Sequence, residues 1–134
     1  MELVEPLTFM NRSGRVLGPV FSKTGLGRDN LLVVCDSLDL PAGRFRLKKR
    51  GGSAGHNGLK SIIAGLGSEE FMRLYVGIGR PADGQGVIDW VLSRPLDAEL
   101  AAIESTCQLA AQAVLALVSR PIESVMNEVN AKND

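Results

Sequence analysis

The chain has 134 residues, of which 45% are hydrophobic and 22% are charged. This balance fits one domain with a buried core and excludes a disordered tail. Fifteen basic side chains offset fifteen acidic ones, so no overall field attracts the chain to a membrane or a nucleic acid. No apolar run reaches the ~18 residues of a membrane helix, and the acidic first residues lack the basic segment and apolar stretch of a signal peptide. Two isolated cysteines form no zinc knuckle. The composition therefore predicts a cytoplasmic domain without a metal.

The charges are unevenly distributed along the chain. Residues 1–80 carry 12 basic and 7 acidic side chains, whereas residues 81–134 carry 3 basic and 8 acidic ones. Such a cluster indicates either a surface that binds anions or a solvated strand edge that lysine and arginine keep from pairing. The densest cluster holds five cations, namely Arg44, Arg46, Lys48, Lys49 and Arg50.

Apolar runs and alternation predict strands over residues 2–10, 31–35, 44–49 and 71–79. In the third of these, Phe45 and Leu47 face the core and the cations face outward. Helical spacing predicts helices over residues 12–21, 57–66 and 84–92, a long helix from Pro95 and a short helix after Pro121. Strands that alternate with helices predict an α/β fold with a largely parallel or mixed sheet, formed by one domain over residues 1–134.

The long helix that begins at Pro95 has apolar residues at steps of three or four. We expect this face to be buried, which would place Cys107 in the core, as Cys35 is in its strand. The predicted face comprises Leu96, Leu100, Ile103, Cys107, Ala110, Val114 and Leu117.

A glycine-rich loop over residues 51–55 precedes His56, the single histidine, and a helix start at Asn57. Backbone N–H groups of such a loop, together with the helix dipole, favour an anion. His56 is therefore either a structural histidine or a functional one. Gly77 and Gly79 do not complete a dinucleotide fingerprint and indicate close approach of a neighbouring backbone or ligand.

Asp36 directly follows a buried strand, where ligands collect in open α/β sheets. Its carboxylate could orient a histidine, or it could be an ordinary turn residue. Asp39 has the same two interpretations, of which the structural one is favoured. Asn11 could hold an ester carbonyl or a ribose hydroxyl, or it could cap a helix.

Four segments in register resemble the bacterial-type peptidyl-tRNA hydrolase family, and the resemblance covers essentially the whole chain. The segments are Thr8-Phe9-Met10-Asn11-Arg12-Ser13-Gly14, Asp36-Ser37-Leu38-Asp39-Leu40-Pro41-Ala42-Gly43, Gly51-Gly52-Ser53-Ala54-Gly55-His56-Asn57-Gly58-Leu59-Lys60 and Arg73-Leu74-Tyr75-Val76-Gly77-Ile78-Gly79-Arg80-Pro81.

The resemblance implies a cytoplasmic, monomeric esterase without a cofactor that cleaves the ester between a peptide and tRNA. It also implies a three-layer domain with a twisted mixed sheet. Asp36 matches the supporting aspartate, and His56 matches a second histidine of the site. Phe9, Asn11 and Asn57 match residues that hold the tRNA end and the ester. The basic cluster over residues 44–50 would contact tRNA phosphates.

The resemblance begins after the family's first strand, its glycine-rich turn and the helix region that carries the usual catalytic histidine. We therefore expect an N-terminally truncated member. Three possibilities follow: a fragment or a start assigned too far downstream, a homologue that binds tRNA without hydrolysis, or an enzyme in which His56 serves as the base. A further alternative is an ordinary α/β domain for a phosphate ligand.

Overall fold

A computed structural model describes residues 1–81 and 86–133 and divides them into two compact units. The first unit comprises residues 1–33 and 49–72, and the second comprises residues 34–48 and those described from residue 73 onward. The helices are α1 (Leu17–Thr24), α2 (Asn57–Leu66), α3 (Val87–Leu92), α4 (Asp97–Leu117) and α5 (Ile122–Asn133). The strands are β1 (Leu32–Ser37), β2 (Phe45–Lys48) and β3 (Met72–Gly77), and two 3-10 helices span Met10–Val16 and Arg28–Asn30.

The first unit has no regular element before Met10. The strand predicted over residues 2–10 is wrong, because residues 1–10 are exposed and a 3-10 helix begins at Met10. The helix predicted over residues 12–21 is present as that 3-10 helix followed by α1. Pro19 is tolerated because it lies in the first turn of α1, where its missing N–H would have no partner within the helix.

The second unit contains a mixed sheet in the order β1-β3-β2. Strands β2 and β3 pair in antiparallel fashion, with Phe45 opposite Val76 and Leu47 opposite Leu74. Alternation in β2 places Phe45 and Leu47 in the core, as predicted, while Lys48 is exposed. The α/β fold class predicted from the sequence is confirmed.

Helix α5 packs against β2 and extends the hydrogen bonding of this edge strand. The Leu47 N–H donates to Asn130 Oδ1 at 3.0 Å, and Asn130 Nδ2 donates to the Leu47 carbonyl at 2.9 Å. The side-chain amide of Asn130 thus occupies the position that a neighbouring strand would take at Leu47. On the same helix, Val125 is almost completely buried.

The buried face of α4 differs from the prediction. Thr106, Ala110 and Ala113 are buried, whereas Cys107 is exposed, so the core-facing stripe lies one residue away from the predicted one at this point. Helix α4 contacts α5. Length and composition alone would allow α4 to span a membrane, although the core helix of a water-soluble protein meets the same two criteria.

The helix predicted over residues 84–92 is present as α3 from Val87. Its predicted start at Gly84 lies outside the described residues. The helix predicted after Pro121 is α5.

Candidate active site

His56 forms the N-cap of α2. Its extended backbone precedes the helix, and its Nδ1 accepts a hydrogen bond from the Leu59 N–H at 3.2 Å. This bond satisfies one of the N–H groups that the first helical turn leaves without a backbone acceptor. The imidazole therefore has a structural role.

The loop before α2 uses its own polar groups to turn the chain. Ala54 (φ 49°) and Gly55 (φ 83°) are both left-handed. The His56 N–H donates to the Ser53 carbonyl at 2.9 Å, and the Gly55 N–H donates to Ser53 Oγ at 3.4 Å. The N–H groups of Gly55, in the predicted anion-binding loop, and of His56, which follows it, are thus directed at Ser53.

Glycines allow the 3-10 helix over Met10–Val16 to lie against α2. The Gly14 N–H donates to Ser61 Oγ at 2.9 Å, and a Cβ on Gly14 would lie 2.2 Å from the Ser61 carbonyl oxygen. A Cβ on Gly58 would lie 2.6 Å from Met10 Sδ and 2.9 Å from His56 Cε1. Close contact between the two elements therefore depends on these glycines.

Four predicted site residues lie at the starts of the two elements that pack together here, the 3-10 helix and α2. Phe9 and Asn11 flank Met10, while His56 and Asn57 immediately precede Gly58, the residue that Met10 contacts. Phe9, Asn11 and Asn57 have exposed side chains. Within the first unit, the residues expected to hold the tRNA end thus lie next to the contact between Met10 and Gly58 in the chain.

A cleft of about 350 Å³ opens beside the same 3-10 helix. Phe9 was predicted as a site residue, whereas the two arginines of the cleft were not, because the chain before them was predicted to be a strand. The three-residue spacing of Arg12 and Arg15 was the available signal, since one turn of a 3-10 helix aligns such residues. The cleft is lined by Leu7, Thr8, Phe9, Arg12 and Arg15.

Asp36 lies in the second unit, near the end of β1, and is half-buried. Its neighbour Cys35 lies in a poorly solvated environment. Burial and, to a smaller extent, the Asp36 carboxylate raise the pKa of the Cys35 thiol, the Arg73 guanidinium lowers it, and the net result is a pKa of about 12. The Asp36 carboxylate therefore acts on a local environment in which charge is weakly screened.

The segment after β1 approaches both glycines, as predicted. A Cβ on Gly77 would lie 2.2 Å from the Pro41 carbonyl oxygen, so the neighbouring backbone is close there. The Gly79 N–H donates to the Leu40 carbonyl at 2.8 Å, and the left-handed backbone of Gly79 (φ 71°) favours glycine. Asp39 pairs with Arg80 on the surface, in agreement with its structural interpretation.

The predicted basic cluster is divided between the two units. Arg44, Arg46 and Lys48 belong to the second unit, and Lys49 and Arg50 belong to the first. Four of the five side chains are exposed, while Arg46 is half-buried. Lys48 Nζ lies 5.8 Å from the centre of the Tyr75 ring, a cation–π distance.

The hydrogen bonds from Asn130 to the edge of β2 help to choose between the two interpretations of this cluster. Because Asn130 already covers the Leu47 backbone, cations are not needed at that position to keep another strand away. This favours the anion-binding interpretation over edge protection.

The residues predicted to form one site therefore fall into two groups. The first unit holds Phe9, Asn11, His56 and Asn57, and the second holds Asp36 with three of the cations. Their assembly into one pocket stays a prediction. In residues 1–81 and 86–133, no three histidine, cysteine, aspartate or glutamate side chains form a group that could hold a metal ion.

Comparison with known proteins identifies relatives over nearly the whole chain. The family model for peptidyl-tRNA hydrolase matches residues 1–134. A peptidyl-tRNA hydrolase of Bacillus licheniformis is 48% identical over 130 residues, which are 97% of this chain and 69% of that protein. One of Bacillus subtilis is 45% identical over 130 residues, again 97% of this chain and 69% of that protein.

A solved structure agrees in fold. The crystal structure of peptidyl-tRNA hydrolase from Acinetobacter baumannii superposes with a TM-score of 0.86 at 34% identity, covering 94% of this chain and 64% of that one. This chain thus spans about two thirds of the length of the proteins it matches. Together with the motifs in register, these matches show that the chain belongs to the peptidyl-tRNA hydrolase family.

Proposed function

We propose that this chain acts in hydrolysis of the ester between peptide and tRNA in peptidyl-tRNA, which recycles tRNA from aborted translation. The family assignment supports this activity, since the relatives carry the name peptidyl-tRNA hydrolase. The observation that supports it is the contact of Met10 with Gly58, which joins the segment that carries Phe9 and Asn11 to the start of α2, where Asn57 lies.

In this proposal, Asn11 and Asn57 hold the ester and Phe9 contacts the terminal nucleotide. Each asparagine offers both a donor and an acceptor, so it can bind a carbonyl oxygen and a ribose hydroxyl. Asp36 is the supporting carboxylate, whose role is to orient a proton acceptor or the attacking water.

His56 contributes as a hydrogen-bond donor. In the neutral imidazole, the acceptor role of Nδ1 toward Leu59 places the proton on Nε2. That N–H can stabilise negative charge that develops on the ester oxygen. Acceptance of a proton at Nε2 requires the other tautomer, which puts a hydrogen on Nδ1 and breaks the N-cap. The geometry therefore disfavours His56 as the general base.

The basic cluster over residues 44–50 positions tRNA through its phosphates without reading sequence. We also retain as proposals that residues 1–134 form a single three-layer domain, that the protein is a cytoplasmic monomer, and that it needs no cofactor. The match of one family model to the whole chain supports the single domain.

A hydrolysis assay with labelled peptidyl-tRNA tests the proposal. Asp36→Asn should lower kcat/KM by about 10²-fold or more, and Asn11→Ala and Asn57→Ala should each lower it markedly. Asp39→Asn and Asn127→Ala are the matched controls, because Asp39 makes a surface ion pair and Asn127 is exposed on α5. Absence of both turnover and salt-sensitive tRNA binding would refute the proposal.

The second candidate function is tRNA binding without hydrolysis. It is favoured by one observation, the use of His56 Nδ1 as a helix cap. Binding of tRNA that weakens with salt, combined with release of peptide no faster than in buffer, would establish this candidate in place of the first.

A further inference from the structure

The cleft beside the first 3-10 helix combines a positive side with an apolar side. Arg12 and Arg15 line it together with Leu7, Thr8 and Phe9, and no lining residue is acidic. The two arginines are one turn apart, about 6 Å along the helix axis, so both guanidinium groups face the same side. This arrangement offers two forked donors to one anion.

Neither arginine is engaged elsewhere in the described structure. Within residues 1–81 and 86–133, the side chains of Arg12 and Arg15 make no ion pair or hydrogen bond, and both residues are exposed. Glu2, an acidic residue near the start of the chain, lies 3.8 Å from Lys23 instead. Two uncompensated charges next to a cleft therefore create a local positive potential.

The apolar side of the cleft is accessible to solvent. Phe9 is 78% exposed and Leu7 is 96% exposed. An aromatic ring beside two arginines matches the pattern by which proteins bind single-stranded nucleic acids, with a base on the ring and the backbone on the cations. A free phosphate ion would use the arginines but would leave the apolar side uncovered.

We propose that Arg12 and Arg15 bind a backbone phosphate of a single-stranded RNA segment whose adjoining nucleoside lies against Phe9 and Leu7. The occupant is identified by charge complementarity and by the apolar wall. This proposal rests on the proposed function only in taking the single-stranded end of a tRNA as the natural source of that segment. Arg12 and Arg15 are then positioning residues that place the RNA end relative to Asn11.

The test is a fluorescence anisotropy titration of the full chain with a short labelled single-stranded RNA at several salt concentrations. Arg12→Ala/Arg15→Ala should weaken binding at least tenfold. It should also make the salt dependence of log K less steep by about 0.7 for each phosphate that the variant no longer neutralises. Arg12→Lys/Arg15→Lys should recover part of the affinity, because lysine restores the positive charge but not the paired N–H donors of the guanidinium group.

The matched control is Arg28→Ala/Arg94→Ala, which removes the same charge from two exposed positions outside the cleft. Binding by the cleft variant that equals binding by this control overturns the proposal. A competition experiment at constant ionic strength distinguishes binding of a phosphate within RNA from binding of a free phosphate ion. Displacement of RNA by an abasic oligonucleotide or by inorganic phosphate as readily as by the intact oligonucleotide also overturns it, because the nucleoside would then contribute nothing.

The outcome is separable from that of the proposed function. A chain that fails to hydrolyse peptidyl-tRNA but loses RNA affinity in Arg12→Ala/Arg15→Ala refutes the hydrolysis proposal and supports this one. A chain that hydrolyses peptidyl-tRNA, with kcat/KM equal in the cleft variant and in the control, supports hydrolysis and refutes this proposal. Exposed arginines can be replaced without loss of folding, which circular dichroism checks.

Discussion

The side-chain amide of Asn130 forms two hydrogen bonds with the backbone of Leu47, one to its N–H and one to its carbonyl. A helix residue thereby completes the hydrogen bonding of an edge strand at that position. Leu47 is fully buried, so its backbone N–H and carbonyl would destabilise the folded state if they had no hydrogen-bond partner.

Replacement of Asn130 by leucine should destabilise the protein. The variant keeps a similar volume but leaves a donor and an acceptor of Leu47 without partners, at a cost of about 1–3 kcal/mol. Urea unfolding monitored by circular dichroism measures the change. Asn127→Leu, at an exposed position of the same helix, should change the free energy of unfolding by about 0.5 kcal/mol or less. Equal effects of both variants would refute the importance of the edge contact.

The two functions of His56 can be separated by two substitutions. Asparagine is a good N-cap residue, so His56→Asn should preserve most of the stability, whereas His56→Ala should lose about 1 kcal/mol. Both variants remove the imidazole and should lower the rate of peptidyl-tRNA hydrolysis similarly. Thermal unfolding and the hydrolysis assay together check this expectation. Full activity of the stable His56→Asn variant would exclude the imidazole from the chemistry.

The contact of the first 3-10 helix with α2 predicts a strong glycine requirement. Gly14→Ala places a methyl group 2.2 Å from the Ser61 carbonyl oxygen, which is backbone and cannot move away alone. We expect a loss of about 2 kcal/mol or more. Because this contact positions Asn11, the variant should also raise KM for peptidyl-tRNA.

The control for this substitution is Gly27→Ala. A Cβ on Gly27 would meet no atom within 4 Å, its own chain neighbours aside, among the described residues, and the extended backbone (φ −142°, ψ −167°) is open to any residue. The substitution should change the free energy of unfolding by about 0.5 kcal/mol or less. Destabilisation of Gly27→Ala to the same extent as Gly14→Ala would contradict the steric argument.

The two cysteines should differ in reactivity toward iodoacetamide at pH 8. Burial raises the pKa of the Cys35 thiol from 9.0 to about 12, so almost no reactive thiolate forms, whereas Cys107 is exposed. Mass spectrometry of digested protein should find Cys107 alkylated and Cys35 unmodified. Alkylation of Cys35 at an equal rate in the folded protein would contradict the described environment.

The raised pKa of Cys35 also has a consequence for stability at alkaline pH. Between pH 9 and about 12, the folded state retains a proton that the unfolded state releases. The contribution is therefore complete below pH 9 and is lost as the pH rises toward about 12. In unfolding experiments, Cys35→Ala should reduce this alkaline decline, whereas Cys107→Ala should leave it unchanged.

Local patterns in the sequence were sufficient for several parts of the fold and the candidate site. Helix α2 was predicted over residues 57–66 because its apolar spacing and the glycine-rich loop before it are both local signals. The core-facing Phe45 and Leu47 of β2 were predicted for the same reason, since alternation along a strand is set by the backbone. The motifs also identified the family, because their residues are recognised in order along the chain.

Other features depend on residues that are distant in the chain. The burial of Thr106 instead of Cys107 in α4 is decided by the partner surface, since both residues lie on faces that helical spacing allows. The pairing of Asn130 with Leu47 joins residues 83 positions apart. The approach of Gly14 to Ser61 likewise joins residues 47 positions apart. Tertiary packing alone decides such contacts, because hydrogen-bond partners and close approach are properties of the folded chain and leave no periodic signal in the sequence.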